Sequence, residues 1–144
     1  MDDIIENLLH TERKYLVSPD YMSKVQKDIN RNMRGMAIDW LVEVADAFKF
    51  SAHTFYLSAN YLDRYLASVA TSRDKLQLAA ISCMLVAAKY EERVSPPIEE
   101  FAHITDNTYK TEEVVYTIVI SKYISIISTD SVFIHRFSLW KPIF

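Results

Sequence analysis

Gly35 is the only glycine in a chain of 144 residues, and that scarcity narrows the folds open to it more than any other feature. Nucleotide-binding α/β folds need several glycines to turn the backbone tightly around phosphates, so dinucleotide-binding and Walker-type loops are excluded. Four prolines and long runs of good helix formers point instead to an all-α domain with short connections. Half the residues are apolar and 24% are charged, the composition of a globular chain, and this length suits one hydrophobic core.

Periodicity places the helices. Ile4, Ile5, Leu8, Leu9 and Leu16 have the i, i+3/i+4 spacing of an amphipathic helix over residues 2–16, whose apolar stripe needs a docking surface. Ser18-Pro19-Asp20 makes a turn, and residues 21–26 read as a short linker. Between about Asn30 and Phe48, Met33, Met36, Ala37, Trp40, Leu41, Val44 and Phe48 share one face. A second helix from about His53 to Ser68 is expected to bury Phe55, Leu57, Ala59, Leu62, Tyr65 and Leu66. Residues 78–88 are apolar almost all round, so this helix must be central and surrounded by the others. Pro96 and Pro97 stop it and launch another at Ile98–Ile104; Thr105-Asp106-Asn107 turns the chain, and Thr111-x-Glu113 starts a fifth core helix. After Val115 the chain becomes β-branched and rich in Ser and Thr, and no cap or pattern marks it as helix. The expected organisation is an N-terminal helix and linker over 1–29, a core domain over 30–115 and a divergent tail over 116–144.

Several function classes drop out. No Lys/Arg cluster could release many counterions from a phosphate backbone, which argues against direct nucleic-acid binding and for a protein partner. The amino terminus is acidic where a presequence would be basic, and no run approaches the ~18 apolar residues of a membrane span, so an intracellular chain without membrane attachment is expected. Cys83, the single cysteine, lies in an apolar run and reads as a buried inert thiol. His10, His53, His103 and His135 are scattered, and no H-E-x-x-H or nucleophile elbow occurs. Neither catalysis, a metal nor a cofactor is expected.

Met33-Arg34-Gly35-Met36-Ala37-Ile38-Asp39-Trp40-Leu41-Val42-Glu43-Val44 resembles the opening helix of the cyclin box, whose usual form is M-R-x-I-L-x-D-W-L-V-E-V. The resemblance continues through Asn60–Leu66, Lys75–Leu78, Ala87–Glu92, Pro96-Pro97 and Ile104–Tyr109, in the order and spacing of A-type mitotic cyclins, with wording similar to plant members. It covers about residues 15–115. It implies a five-helix bundle around the central apolar helix, a regulatory subunit of a cyclin-dependent serine/threonine kinase, and a nuclear and cytoplasmic location.

The resemblance also assigns residues. Lys89, by itself a cation suited to a helix C-terminus, matches the family's kinase-binding lysine, flanked by Val86, Tyr90, Glu92 and Arg93. Met33, Met36, Ala37, Trp40, Glu43, Leu76 and Gln77 match a hydrophobic patch that recruits substrates and inhibitors carrying a basic-x-leucine motif, although the residues alone fit a plain core. Ala37 and Met36 replace the usual leucine and isoleucine there. Arg34 and Asp63 match a helix-bridging ion pair, in which each charge needs the other if both are taken from water. The match ends in the fifth helix, where the family carries a glutamate and this chain has Ile118. A mispredicted gene end or retained intron would leave a box cut off in this way, a fragment that binds kinase weakly or not at all and does not activate it.

Overall fold

The computed structural model describes residues 2–14 and 19–123. Their helices are α1 (Asp2–Lys14), α2 (Tyr21–Lys24), α3 (Arg31–Phe48), α4 (Ala52–Ser68), α5 (Leu76–Glu91), α6 (Ile98–His103) and α7 (Thr111–Tyr123), with a 3₁₀ turn at Arg73–Lys75 leading into α5. No strand occurs among the described residues. The expectations that fall on residues 15–18 and 124–144 lie outside them.

The centre is α5. Leu76 and Leu78 through Ala88 are all buried, because α3, α4, α6 and α7 pack around this helix, α4 most extensively. A helix apolar on every side is soluble only when so enclosed. Ser82, buried with them, returns its hydroxyl to the Leu78 carbonyl at 2.7 Å, so its burial costs little. The Cys83 thiol is also enclosed, and burial pushes its pKa well above the ordinary value.

Local chemistry sets the helix ends. Asn30 caps α3 by accepting from the Met33 amide at 2.9 Å, and Ser51 caps α4 by accepting from Thr54. Lys49 closes α3 in the left-handed region, at φ 57°. Pro97, at φ −65° and ψ 155°, precedes α6, and Phe101 of that helix, fully buried, meets the Phe48 and Phe50 rings at 5.0 and 6.2 Å between centroids. Asp106 and Asn107 turn the chain at positive φ before α7. There Glu113 accepts from the Lys110 amide at 2.8 Å, a side chain reaching back over the first turn.

Three expectations need correction. The buried face of α4 is Thr54, Ser58, Tyr61, Leu62, Tyr65 and Leu66, whereas Phe55, Leu57 and Ala59 are only partly buried. The hydroxyls of Thr54 and Ser58 bond to Glu92 and to the Phe55 carbonyl, so these small polar residues can be buried with their hydrogen bonds satisfied. The linker read at 21–26 contains α2 and then Gln26, a buried amide that donates to the Leu66 and Val69 carbonyls and accepts from the Thr71 amide, closing the end of α4. Finally, helical structure does not stop near Val115: α7 runs to Tyr123, with Val114 fully buried and Ile118 2% exposed. Burial against α5 overrides the low helix propensity of that β-branched stretch.

Candidate functional site

The first candidate surface is the exit end of α5. Its last turn carries Lys89 beyond the buried stretch, and the Glu92 amide closes the helix on the Ala88 carbonyl at 2.9 Å. Lys89 and Tyr90 are half-buried and Arg93 is exposed. Among the described residues, none offers a carboxylate within ion-pair distance of the Lys89 ammonium. A cation here also faces the negative end of the α5 dipole, a favourable placement.

Two expected neighbours do something else. Val86 is 1% exposed, so it supports this end from within and presents no surface. Glu92 turns toward α4: one carboxylate oxygen accepts from the Ser51 amide at 2.8 Å and from the Thr54 hydroxyl at 2.7 Å. Those bonds, the one from Thr54 foremost, hold its carboxyl below the ordinary range. Glu92 therefore ties the exit of α5 to the start of α4, where the helix dipole favours an anion.

The second surface is a groove between α3 and the start of α5. Met33, Met36, Ala37, Trp40, Leu76 and Gln77 line a space of about 420 Å³ together with Arg73. Met36 is 71% exposed while Ala37 and Leu76 form a buried floor, so the groove is an accessible apolar surface and the reading of these residues as plain core does not hold for Met36. Glu43, the remaining residue expected here, is exposed on α3 but is not part of the lining. Arg73 was not foreseen. Asp28 positions it, accepting from its amide at 2.6 Å and facing its guanidinium at 4.0 Å.

Beneath these surfaces α3 and α4 are joined by a charged cluster. Arg34 grips Asp63 through two parallel bonds, Nε to Oδ1 at 2.6 Å and Nη2 to Oδ2 at 2.7 Å. Tyr21 donates to the same Oδ1 at 2.6 Å. These bonds raise the Arg34 pKa further, and burial followed by the Asp63 bond pushes Tyr21 up to about 12. The arrangement clamps the segment before α3 against α4. It is not exposed as a binding face.

Among the described residues no group of His, Cys, Asp and Glu could hold a metal ion, and no helix is long and apolar enough to cross a membrane. What the fold offers is two partner-sized surfaces on a helical frame. That frame, with the M-R-x-x-x-x-D-W-L-V-E-V helix in place, matches the family model "Cyclin, N-terminal domain" over residues 3–117. The chain belongs to the cyclin family.

Plant A-type cyclins are among its relatives in that family. Cyclin-A1-1 of Arabidopsis thaliana is 50% identical over 112 residues, covering 78% of this chain and 24% of that protein. Cyclin-A1-2 of Oryza sativa subsp. japonica is 49% identical over 112 residues, with the same coverages. Cyclin-A3-2 of Arabidopsis thaliana is 45% identical over 115 residues, covering 78% of this chain and 31% of that one. The chain thus spans about a quarter of the length of the A1 relatives it matches. In structure it is similar to a viral cyclin from herpesvirus saimiri, with a TM-score of 0.74 over 90% of this chain and 56% of that one, at 18% identity. That likeness gives the cyclin-box fold, the five helices α3 to α7 around α5.

Tyr21, Gln26, Arg73 and Thr54 are the residues that sequence reasoning missed. The first two lay in a stretch without periodicity, and Arg73 stood just before a helix. Only Thr54 carried a signal, three residues after a good N-cap serine.

Proposed function

We propose that this chain is a regulatory subunit that docks a cyclin-dependent serine/threonine kinase on the exit end of α5 and shifts that kinase toward its active arrangement. The observation that carries the reading is Lys89: a half-buried ammonium without an ion-pair partner among the described residues, at the end of the helix that forms the core. Such a group can donate up to three hydrogen bonds to backbone carbonyls of a partner, and the packed α5 pays little entropy to present it. Tyr90 and Arg93 extend the same edge. The chemistry stays on the kinase, and activation follows if the cyclin binds the active arrangement better than the inactive one. A nuclear and cytoplasmic location belongs to this proposal.

The groove of Met33, Met36, Ala37, Trp40, Leu76 and Gln77 serves, in this reading, as a second dock for substrates or inhibitors with a basic-x-leucine motif, Glu43 meeting the basic residue from the flank. A leucine side chain entering it contributes roughly 1.5–3 kcal/mol. Ala37 makes the floor shallower than the usual leucine would.

Ile118 favours a second reading, in which the chain binds kinase without activating it. An apolar side chain, 2% exposed, stands where the family carries a glutamate that cooperates with the lysine. Adding the purified chain to a monomeric cyclin-dependent kinase, with binding and histone phosphorylation measured together, separates the two. Binding with activity supports a regulatory subunit, and binding alone supports the competitor. Lys89→Ala should weaken binding at least about tenfold with an unchanged melting temperature; full binding by that variant rejects the docking edge.

A further inference from the structure

The loop that joins α5 to α6 holds a serine–proline pair beside the docking edge. Arg93 and Val94 are exposed, Val94 at 83%, and Ser95 is half-buried. Ser95, Pro96 and Pro97 belong to no helix, and Pro97 has the extended geometry of φ −65° and ψ 155°. A residue before proline is itself held extended by the proline ring. Among the described residues, the Ser95 hydroxyl bonds only to the adjacent Pro96 carbonyl, at a long 3.3 Å, so no distant described residue holds it by a hydrogen bond. An extended backbone, an unrestrained hydroxyl and a following proline without an N–H are what a proline-directed kinase accepts as substrate.

We propose that Ser95 is a phosphate acceptor for a proline-directed serine/threonine kinase, and that its phosphate blocks docking at the exit end of α5. The second half rests on the kinase-docking reading above. In the transfer, the Ser95 oxygen forms a bond to the γ-phosphorus of a nucleoside triphosphate. The bond from that phosphorus to the bridging oxygen breaks, the nucleoside diphosphate leaves with the electron pair, and the hydroxyl proton passes to the modifying kinase's catalytic carboxylate. The product carries a charge of about −1.5 to −2 at neutral pH. It lies two residues after Arg93, next to a helix end whose dipole is already negative. The phosphate cancels most of the positive charge that Lys89 and Arg93 give this edge, and its own oxygens repel partner carbonyl and carboxylate oxygens that approach it.

The test uses the full chain with a purified mitogen-activated protein kinase and Mg-ATP, followed by phosphopeptide mapping. Ser18-Pro19 is the other serine–proline pair in the sequence, so Ser18→Ala is the background. Phosphate at Ser95, absent from the Ser95→Ala variant, is the expected result. Modification of the heat-denatured chain but not of the folded one overturns the proposal, because the loop is then closed to the enzyme. Binding of a cyclin-dependent kinase is measured next. The phosphorylated chain and Ser95→Glu should bind at least about tenfold more weakly than the unmodified chain, and Ser95→Ala as well as it does. Equal binding by the phosphorylated chain overturns the switch alone. Absence of binding by the unmodified chain overturns the docking reading and the switch together, and the mapping result tells the two failures apart.

Discussion

Replacing Asp63 by alanine removes one acceptor from three bonds: two from Arg34 and one from Tyr21. The Arg34 side chain is 34% exposed and that of Asp63 is 22% exposed, so the pair lies between two limits. Breaking a fully buried pair costs about 3–5 kcal/mol and an exposed one about 0.2–1 kcal/mol. A value near 2 kcal/mol follows for the pair after solvent screening, and stranding the Tyr21 hydroxyl adds about 1 kcal/mol. The sum of about 3 kcal/mol lowers the melting temperature by roughly 10 °C in a domain of this size. Arg34→Lys keeps the charge but loses the two-pronged geometry, and should cost about 1 kcal/mol. The sharpest assay is a double-mutant cycle of Arg34→Ala and Asp63→Ala by urea denaturation, with an expected coupling of about 2 kcal/mol. A coupling below about 0.5 kcal/mol refutes the argument, because the two charges would then be solvated independently.

Tyr21 makes a related pH-dependent prediction. Its pKa is raised from 10.0 to about 12 in the folded chain, so its stabilisation is complete below pH 10 and is lost as pH rises through about 12; Tyr21→Phe should flatten that alkaline loss in a chemical-denaturation series. Gly35 sits inside α3, and a Cβ built there meets nothing within 4 Å. Gly35→Ala should therefore raise stability by about 0.5–1 kcal/mol, and a lower melting temperature would show that its helical environment is misjudged. Ile118→Glu puts a carboxylate on the buried face of α7 with Val114 and should cost about 3 kcal/mol or more by denaturant titration; an unchanged midpoint would mean that the carboxylate reaches Lys89 or solvent.

What the amino-acid order determined by itself is the helices other than α2 and the identity of the central one. Residues 78–88 have no polar face to show to water, so any soluble fold must enclose them, and the prolines, the N-caps at Asn30 and Ser51 and the turn at Asp106-Asn107 punctuate the rest locally. The groove residues and the Arg34–Asp63 pair were legible only through resemblance to a family, since spacing alone also fits a plain core. Tertiary structure decided which way side chains turn. It buried Val86, sent Glu92 to the start of α4 and left Met36 open. It also drew Gln26 from an unpatterned stretch into the end of α4, and carried α7 past the point where propensity alone would end it. Helix periodicity records how many apolar positions share a face, but the partner that covers that face is distant in sequence. A hydrogen bond between residues forty positions apart leaves no periodic trace, and burial supplies more free energy than the few tenths of a kcal/mol by which local propensity disfavours the helix.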